Sequence, residues 1–433
     1  MKSDIPVNVS QPKLKSQTIP TPGCDDTDPN SLSVPQALAR INELIQPLNE
    51  TINLGLSDAL NHVLASEVSS KINVPPYRNS AMDGYALNAI DIPQQGKATL
   101  KLAGVAFAGT PYQGEVQKGE CIRIMTGAKV PDDLDTVIMQ EHVIKEDDNI
   151  TIGTGHTQGQ NVRHIGEDVK QDQTVLFAGK LIKAAELGLL ASLGVAEVTV
   201  KRKLKVAFFS TGDELRPVGE LLEEGQIYDS NRYSIYGMLK ALNVDIVDLG
   251  VIADDRSAIE TAFQQAAQQA DAVITSGGVS VGDADYVKET LDKLGTINFW
   301  KIAMKPGKPL AFGKIDKAMF FGLPGNPVSV MATFYQFVQP ALRRMMGQDQ
   351  TTNVSVQIPC SELLKKRPGR TDFQRGIMHY NDAGQLTVKS VGMQASHIMS
   401  GMSLANCFIV LPAESGNIEA GTLVEVQPFE GLM

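Results

Sequence analysis

Cysteine is scarce and scattered. Cys24, Cys121, Cys360 and Cys407 are the four in 433 residues, and no two form a CxxC pair. The spacing argues against a structural zinc site and favours a reducing compartment, the cytoplasm. Six histidines show neither HxxxH nor HExxH spacing, which argues against a histidine-based metal site. No run of about 18 apolar residues is present, so no segment is expected to span a membrane. An excess of basic charge is also missing. At a net charge of -10 the chain is no general binder of nucleic acid or anionic membrane, and any phosphate site must be local. Residues 1–30 are polar and dotted with proline, without the apolar core of a signal peptide, and read as a disordered leader.

What is present suits two to four globular domains: 42% hydrophobic and 20% charged residues over a chain of this length. From Ser33 the apolar residues Val34, Leu38, Ile41, Leu44 and Ile45 recur at helical intervals, and a second helical stretch is expected over 57–68. Both read as packing surfaces.

The stretch 272–285, AVITSGGVSVGDAD, carries the strongest local signal: an apolar strand, a Gly/Ser turn, then a helix-like segment over 286–294. Glycines let the backbone approach a ligand closely, and N–H groups of such a turn can point at an oxyanion. The pattern recurs twice. An apolar run at 204–209 leads into Ser210-Thr211-Gly212-Asp213-Glu214, and one at 318–321 leads into Gly322-Leu323-Pro324-Gly325-Asn326-Pro327. Asn326 stands where an N-cap belongs and Pro327 at the first position of a helix reaching about Met346. With a helix over 231–242, a strand over 245–252 and a helix over 256–270 in between, alternation predicts a parallel, doubly wound sheet. In such sheets ligands bind beyond the carboxyl ends of the strands, where all three loops would lie. Taken singly, each loop is also explained as punctuation, with Asp213 and Asp283 capping helices.

Residues 97–152 alternate short apolar runs with Gly and Pro and read as a mainly β domain. The segment after about 348 reads as a smaller β domain, with Arg370, Arg375, Ser396 and His397 in its polar stretches. Lys301 and Lys305 would share one face if 298–304 were a strand, and in an acidic chain they suit an anion clamp.

Together the motifs resemble one family, the molybdopterin molybdotransferases (molybdenum-cofactor insertases, MoeA and the gephyrin E domain). The strings are NSAMDGYA at 79–86, RIMTGA at 123–128, GQNVRHIGEDV at 159–169, STGDEL at 210–215 and TSGGVSVGDADY at 275–286. They continue with IAMKPGKP at 302–309, GLPGNP at 322–327, GRTDFQRG at 369–376 and ASHIMSGMSLAN at 395–406. The resemblance implies a discontinuous linker domain (31–70 and 170–203), an inserted mainly β domain (71–169), an α/β molybdopterin-binding domain (204–347) and a C-terminal β barrel (348–433). It further implies a homodimer in which Asp83, Thr126 and Asp168 of one protomer face the Gly loops of the other.

The implied reaction loads molybdate onto adenylylated molybdopterin with Mg2+-dependent release of AMP. Asp83, Thr126, Asp168, Glu214 and Asp285 are the expected catalytic residues, and Glu214, Asp254 and Asp285 the expected metal ligands. Thr211, Gly212, Ser276, Gly277 and Gly278 would cradle phosphates, Lys301 and Lys305 would hold anions, and Pro324, Gly325 and Pro327 would shape the third loop. Arg375 and Ser396 would bind molybdate or the pterin. Expected partners are the pterin adenylyltransferase and apo-molybdoenzymes or their chaperones. A molybdopterin adenylyltransferase and a gephyrin-like scaffold remain the alternative readings.

Overall fold

Apolar runs and amphipathic segments alternate as expected in the computed structural model, which describes residues 31–277, 286–349, 351 and 353–429. The α/β region consists of β1 (Lys205–Thr211), α1 (Ser230–Ala241), β2 (Asp245–Ile252), α2 (Arg256–Gln269) and β3 (Ala272–Ser276). It continues with α3 (Tyr286–Leu294), β4 (Gly295–Lys301), β5 (Pro309–Ile315) and β6 (Ala318–Leu323). The strands lie in the order β2-β1-β3-β6-β5-β4. Both sheet faces are covered. Phe208, Ile274, Phe312 and Phe321 pack with Ile235 and Leu239 of α1. Phe209, Val273 and Phe320 pack with Ile259 and Phe263 of α2 and Leu291 of α3.

The sheet is not wholly parallel. β1, β2, β3 and β6 pair in parallel, whereas β5 pairs antiparallel to both β6 and β4. The cause is connection length: two residues, Asp316 and Lys317, separate β5 from β6, with Asp316 at a φ of 52°. So short a turn permits a hairpin and no crossover.

After β6 a long helix runs as Pro327–Thr333, a wide-turn segment Phe334–Val338, and Gln339–Met345. Pro340 has no N–H to give to that ladder, and the widened turn precedes it. The helix Val34–Leu44 is held by a reciprocal cap between Ser33 and Gln36 and buries Ala37 and Ile41. The helix expected over 57–68 is absent: only a short turn forms at Leu56–Asp58. Val63 and Leu64 instead bridge to Leu181 and Val200; Leu64 packs with Leu176 and Ile182, and Val63 joins the larger core that includes Leu204 and Ile235. Tertiary pairing there outweighs the local helical period.

Two further sheets flank the α/β region. Between residues 84 and 152, six strands follow the order Thr136–Met139, Gly84–Leu87, Glu120–Ile124, Ala98–Ala106, Asn149–Ile152, Val143–Glu146. Toward the C-terminus the order is Met304–Lys305, Thr371–Tyr380, Cys407–Leu411, Leu423–Pro428, Val356–Pro359, with Leu386–Ser390 also on Thr371–Tyr380. A bridge between Cys360 and Val388 brings the ends of this sheet together.

One expected face does not exist. Lys301 ends β4 in the α/β sheet, but Met304–Lys305 pairs with Thr371–Asp372 of the C-terminal sheet. The chain changes sheets between the two lysines, so strand alternation does not relate their side chains.

Candidate functional site

The three strands that lead into the glycine loops end side by side among the described residues. Register pairs Ser210 with Ser276 and Ser276 with Leu323, so β1, β3 and β6 end together at their carboxyl ends. Gly277 is required there: its φ is +90°, and a Cβ would sit 2.8 Å from the Thr211 carbonyl oxygen. Asn231, near the start of α1, ties two loops by donating to Ser276 Oγ (2.8 Å) and to the Gly325 carbonyl (2.7 Å). Its Oδ1 is buried and, like Ser210 Oγ, Thr211 Oγ1 and Thr275 Oγ1, has no partner among the described residues. Buried polar atoms are costly to leave unmatched, and such a group at strand ends suits a polar ligand. Sequence reasoning missed Asn231, although its place just after the Asp229 cap of α1 puts its side chain over the loops. Asn326 precedes Pro327 at the helix start as expected, but its side chain makes no capping hydrogen bond. Gly278 and Asp285, with Asp283, lie outside the described residues.

The acids separate into cap and non-cap. Asp255, not Asp254, caps α2 by accepting from Ala258 N at 2.9 Å. Asp213 caps no helix: its Oδ1 accepts from Asp254 N at 3.1 Å, joining the loops after β1 and β2. Asp254 is thereby crowded against Asp213 and Glu214. Partial desolvation first, then repulsion from those two carboxylates, raises its carboxyl above the usual aspartate value. Among the described residues no group of three His, Cys, Asp or Glu forms a metal site. Glu214 and Asp254 therefore need further donors, from Asp285 or a substrate, to hold a cation.

In the inserted β region three motifs converge. Ser80 and Asn79 pair with Val162 and Arg163, Ala81 N donates to the Asn161 carbonyl, and Gly127 N donates to the Ser80 carbonyl. Gly84 lets Gly84–Leu87 lie tight against its neighbour, since a Cβ would meet the Ile138 carbonyl at 2.1 Å. Asp83 is gripped here. Its Oδ1 accepts from both the backbone N and the Oγ1 of Thr126, each at 2.7 Å. The Thr126 backbone bond, the Thr126 hydroxyl and then Arg123 hold its pKa below the usual value. Asp168 is exposed on the loop whose backbone N bonds to the Val74 carbonyl at 3.0 Å.

A third cluster forms where the α/β and C-terminal sheets meet. A cavity of about 600 Å³ is lined by Lys305, Lys308, Ser329, Arg370, Ser396 and His397, among others. Val328 N donates to the Ser396 carbonyl at 3.1 Å, so the start of the long helix abuts the Ser396 loop. Lys301 does not line this cavity. Arg375 is not positioned as expected. It is 1% exposed, and its guanidinium donates to Gln394 Oε1 and to the Met393 and Ile398 carbonyls (both 2.6 Å). Its donors are spent on Gln394 and on the backbone of the loop carrying Ser396, so it holds that loop, and Arg370 is the arginine that lines the cavity. Arg370, half-buried at the cavity wall, shares the GRTDFQRG string with Arg375, and nothing in sequence separates the fully buried arginine from the one that lines the cavity.

Comparisons with known proteins agree along the chain. Residues 32–194 match the MoeA N-terminal region (domain I and II), 207–344 a probable molybdopterin binding domain, and 357–429 the MoeA C-terminal region (domain IV). A molybdopterin molybdenumtransferase of Haemophilus influenzae is 48% identical over 93% of this chain and 100% of its own. A gephyrin of Dictyostelium discoideum is 31% identical over 92% of this chain and 62% of its own. The crystal structure of a molybdopterin biosynthesis MoeA protein from Pyrococcus horikoshii covers 92% of this chain and all of its own, with a TM-score of 0.79 at 28% identity.

Proposed function

Because this chain belongs to the MoeA family of molybdopterin molybdenumtransferases, we propose that its strand-end loops, acid cluster and cationic cavity act together on one pterin substrate. The protein is a transferase of molybdenum cofactor biosynthesis. The finer reading is that molybdate is loaded onto adenylylated molybdopterin and AMP is released.

The single observation that carries this reading is the Asn231 bridge. It fixes the second loop to the third, while its own Oδ1 and the neighbouring Ser210 Oγ stay buried and unmatched among the described residues. A substrate bearing phosphate and amide groups satisfies such atoms. Thr211, Gly212, Ser276 and Gly277, with Gly278, then cradle the phosphates, between walls formed by Pro324, Gly325 and Pro327. Water adds to phosphorus, the bridging P–O bond to AMP breaks, and the water's proton passes to a carboxylate. Such a reaction depends on neutralised charge and positioning rather than on a protein nucleophile. Asp83, kept ionised by Thr126, orients the attacking side and accepts the proton. Asp254 holds its own proton more readily than a free aspartate does. Mg2+, held by Glu214 and Asp254 with Asp285 and substrate oxygens, would neutralise the phosphoanhydride. Lys305, Arg370 and Ser396 hold molybdate, on a loop set by Arg375.

The same reading includes a homodimer whose inserted domain brings Asp83, Thr126 and Asp168 to the partner's loops, and a C-terminal sheet closed as a barrel. It also includes transient contacts with the pterin adenylyltransferase and apo-molybdoenzymes or their chaperones, in the cytoplasm. No helix among the described residues is long and apolar enough to cross a membrane.

The test is incubation with adenylylated molybdopterin, molybdate and Mg2+, following AMP release and reactivation of a cofactor-free molybdoenzyme. Molybdate-dependent release with reactivation is the expected result. AMP transfer from ATP onto free molybdopterin, or neither activity, would replace the reading with an adenylyltransferase or a scaffold.

A further inference from the structure

The junction contains a second cavity, of about 670 Å³, which the reaction above leaves unused. Its wall carries five cationic side chains, Lys305, Lys365, Lys366, Arg367 and Arg370, against one carboxylate, that of Asp372. In a chain of net charge -10 such a concentration of one sign is unusual. Like charges around a concave wall repel one another, and an anion inside removes that repulsion.

These charges are mounted on a clamped loop. Lys366 N donates to Asn417 Oδ1 (2.9 Å), Gly369 N to the Ala413 carbonyl (2.7 Å), and Gln374 Nε2 to the Lys365 carbonyl (2.9 Å). Leu364 and Ile418 exchange two backbone bonds across the base of the loop. The Lys366 side chain, 6% exposed, donates to the carbonyls of Arg367, Ala413 and Ser415 and so serves the loop itself. Lys365 and Arg367 are exposed on that fixed frame, and Lys305 and Arg370 line both this cavity and the Ser396 cavity. A merely solvated basic surface needs neither the concavity nor the clamp.

We propose that this cavity is a second anion site, distinct from the Ser396 cavity, that binds a tetrahedral oxyanion dianion. Lys365 and Arg367 supply the charge proper to it, and the shared Lys305 and Arg370 couple its occupancy to that of its neighbour. The dianion is either a free inorganic oxyanion or the phosphate of a larger molecule, and the cavity volume accommodates both.

Equilibrium dialysis with radiolabelled inorganic phosphate tests the site on the full chain, without turnover, so a failure of the transferase reading leaves this result legible. Lys365→Gln combined with Arg367→Gln removes two exposed charges that line this cavity alone. Phosphate affinity is expected to fall by at least about tenfold, the scale of a lost charge-assisted contact. Ser396→Ala, which alters only the other cavity, is expected to leave that affinity in place. In the wild-type chain, AMP that displaces the phosphate lost in the double variant identifies an organic phosphate as occupant, and AMP that does not identifies a free oxyanion. Unchanged phosphate affinity and stoichiometry in the double variant, or an equal loss in Ser396→Ala, would overturn the proposal.

Discussion

Two clusters, one at the strand ends and one at the junction with the C-terminal sheet, carry opposite charge and are built in opposite ways. At the strand ends Asp254 lies beside Asp213 and Glu214, and partial desolvation first, then repulsion from those two carboxylates, raises its pKa above the usual aspartate value. At the junction with the C-terminal sheet the side chains are cationic, and buried Arg375 and Lys366 spend their donors on carbonyl groups that hold loops in place. At the acidic end a cation or proton would relieve repulsion among the carboxylates; at the basic end the buried cations serve the framework and the outer ones line the two cavities. An anionic ligand reaching both ends would therefore be held at one and worked on at the other.

The firmest way to break this contrast is to remove a framework cation. Arg375→Ala should cost roughly 3 kcal/mol of stability, because buried carbonyl acceptors lose their donors, read from the urea denaturation midpoint. A loss near zero would show that the Ser396 loop stands without it. Next in size is Asp83→Asn, which should lower molybdate-dependent AMP release by about a hundredfold, the scale of a lost general base. Thr126→Val should cost less and move the acidic limb of the pH profile upward, since Asp83 loses a donor that holds its pKa down.

Arg370→Gln should weaken oxyanion binding by about tenfold, with the difference shrinking as salt rises. A salt-independent loss would place the effect in packing instead of charge. The smallest effect is the subtlest test of the acidic end. Asp254 is raised, so between the unfolded aspartate value and its folded value the native state binds more protons and stability falls as pH rises. Asp83 is lowered, so its contribution has the opposite sign: present above the unfolded value and lost as pH falls through the folded one. Glu214→Gln should shift the Asp254 titration to lower pH, observable by carboxyl infrared difference spectroscopy, while leaving that of Asp83 where it is.

The strands that lead into the glycine loops were legible in sequence because apolar runs ending in Gly, Ser and Thr state both period and turn. The inserted-domain motifs were legible as strings, and what the sequence could not state was that Thr126 would close on Asp83 from 43 residues away. The one strand that runs against its neighbours, β5, was not legible, since a strand of either direction looks the same in sequence until the connection is measured. Lys301 and Lys305 misled because even spacing has meaning only inside one strand. Arg375 misled for a different reason: arginine is rarely buried, and only the ring of carbonyls around it makes the exception stable.

The passage of the chain from Lys301 into Met304–Lys305 also governs where the molecule can be cut. Leu32 N bonds to the Lys301 carbonyl, Ala303 N to the Leu32 carbonyl, and Thr371 N to the Ala303 carbonyl, so three distant stretches share one short seam. A fragment beginning at residue 348 would leave Thr371–Asp372 with an unpaired edge, open to another chain's strand. The C-terminal domain is thus contiguous in space but borrowed in sequence, and a soluble version of it would have to carry residues 302–308 along.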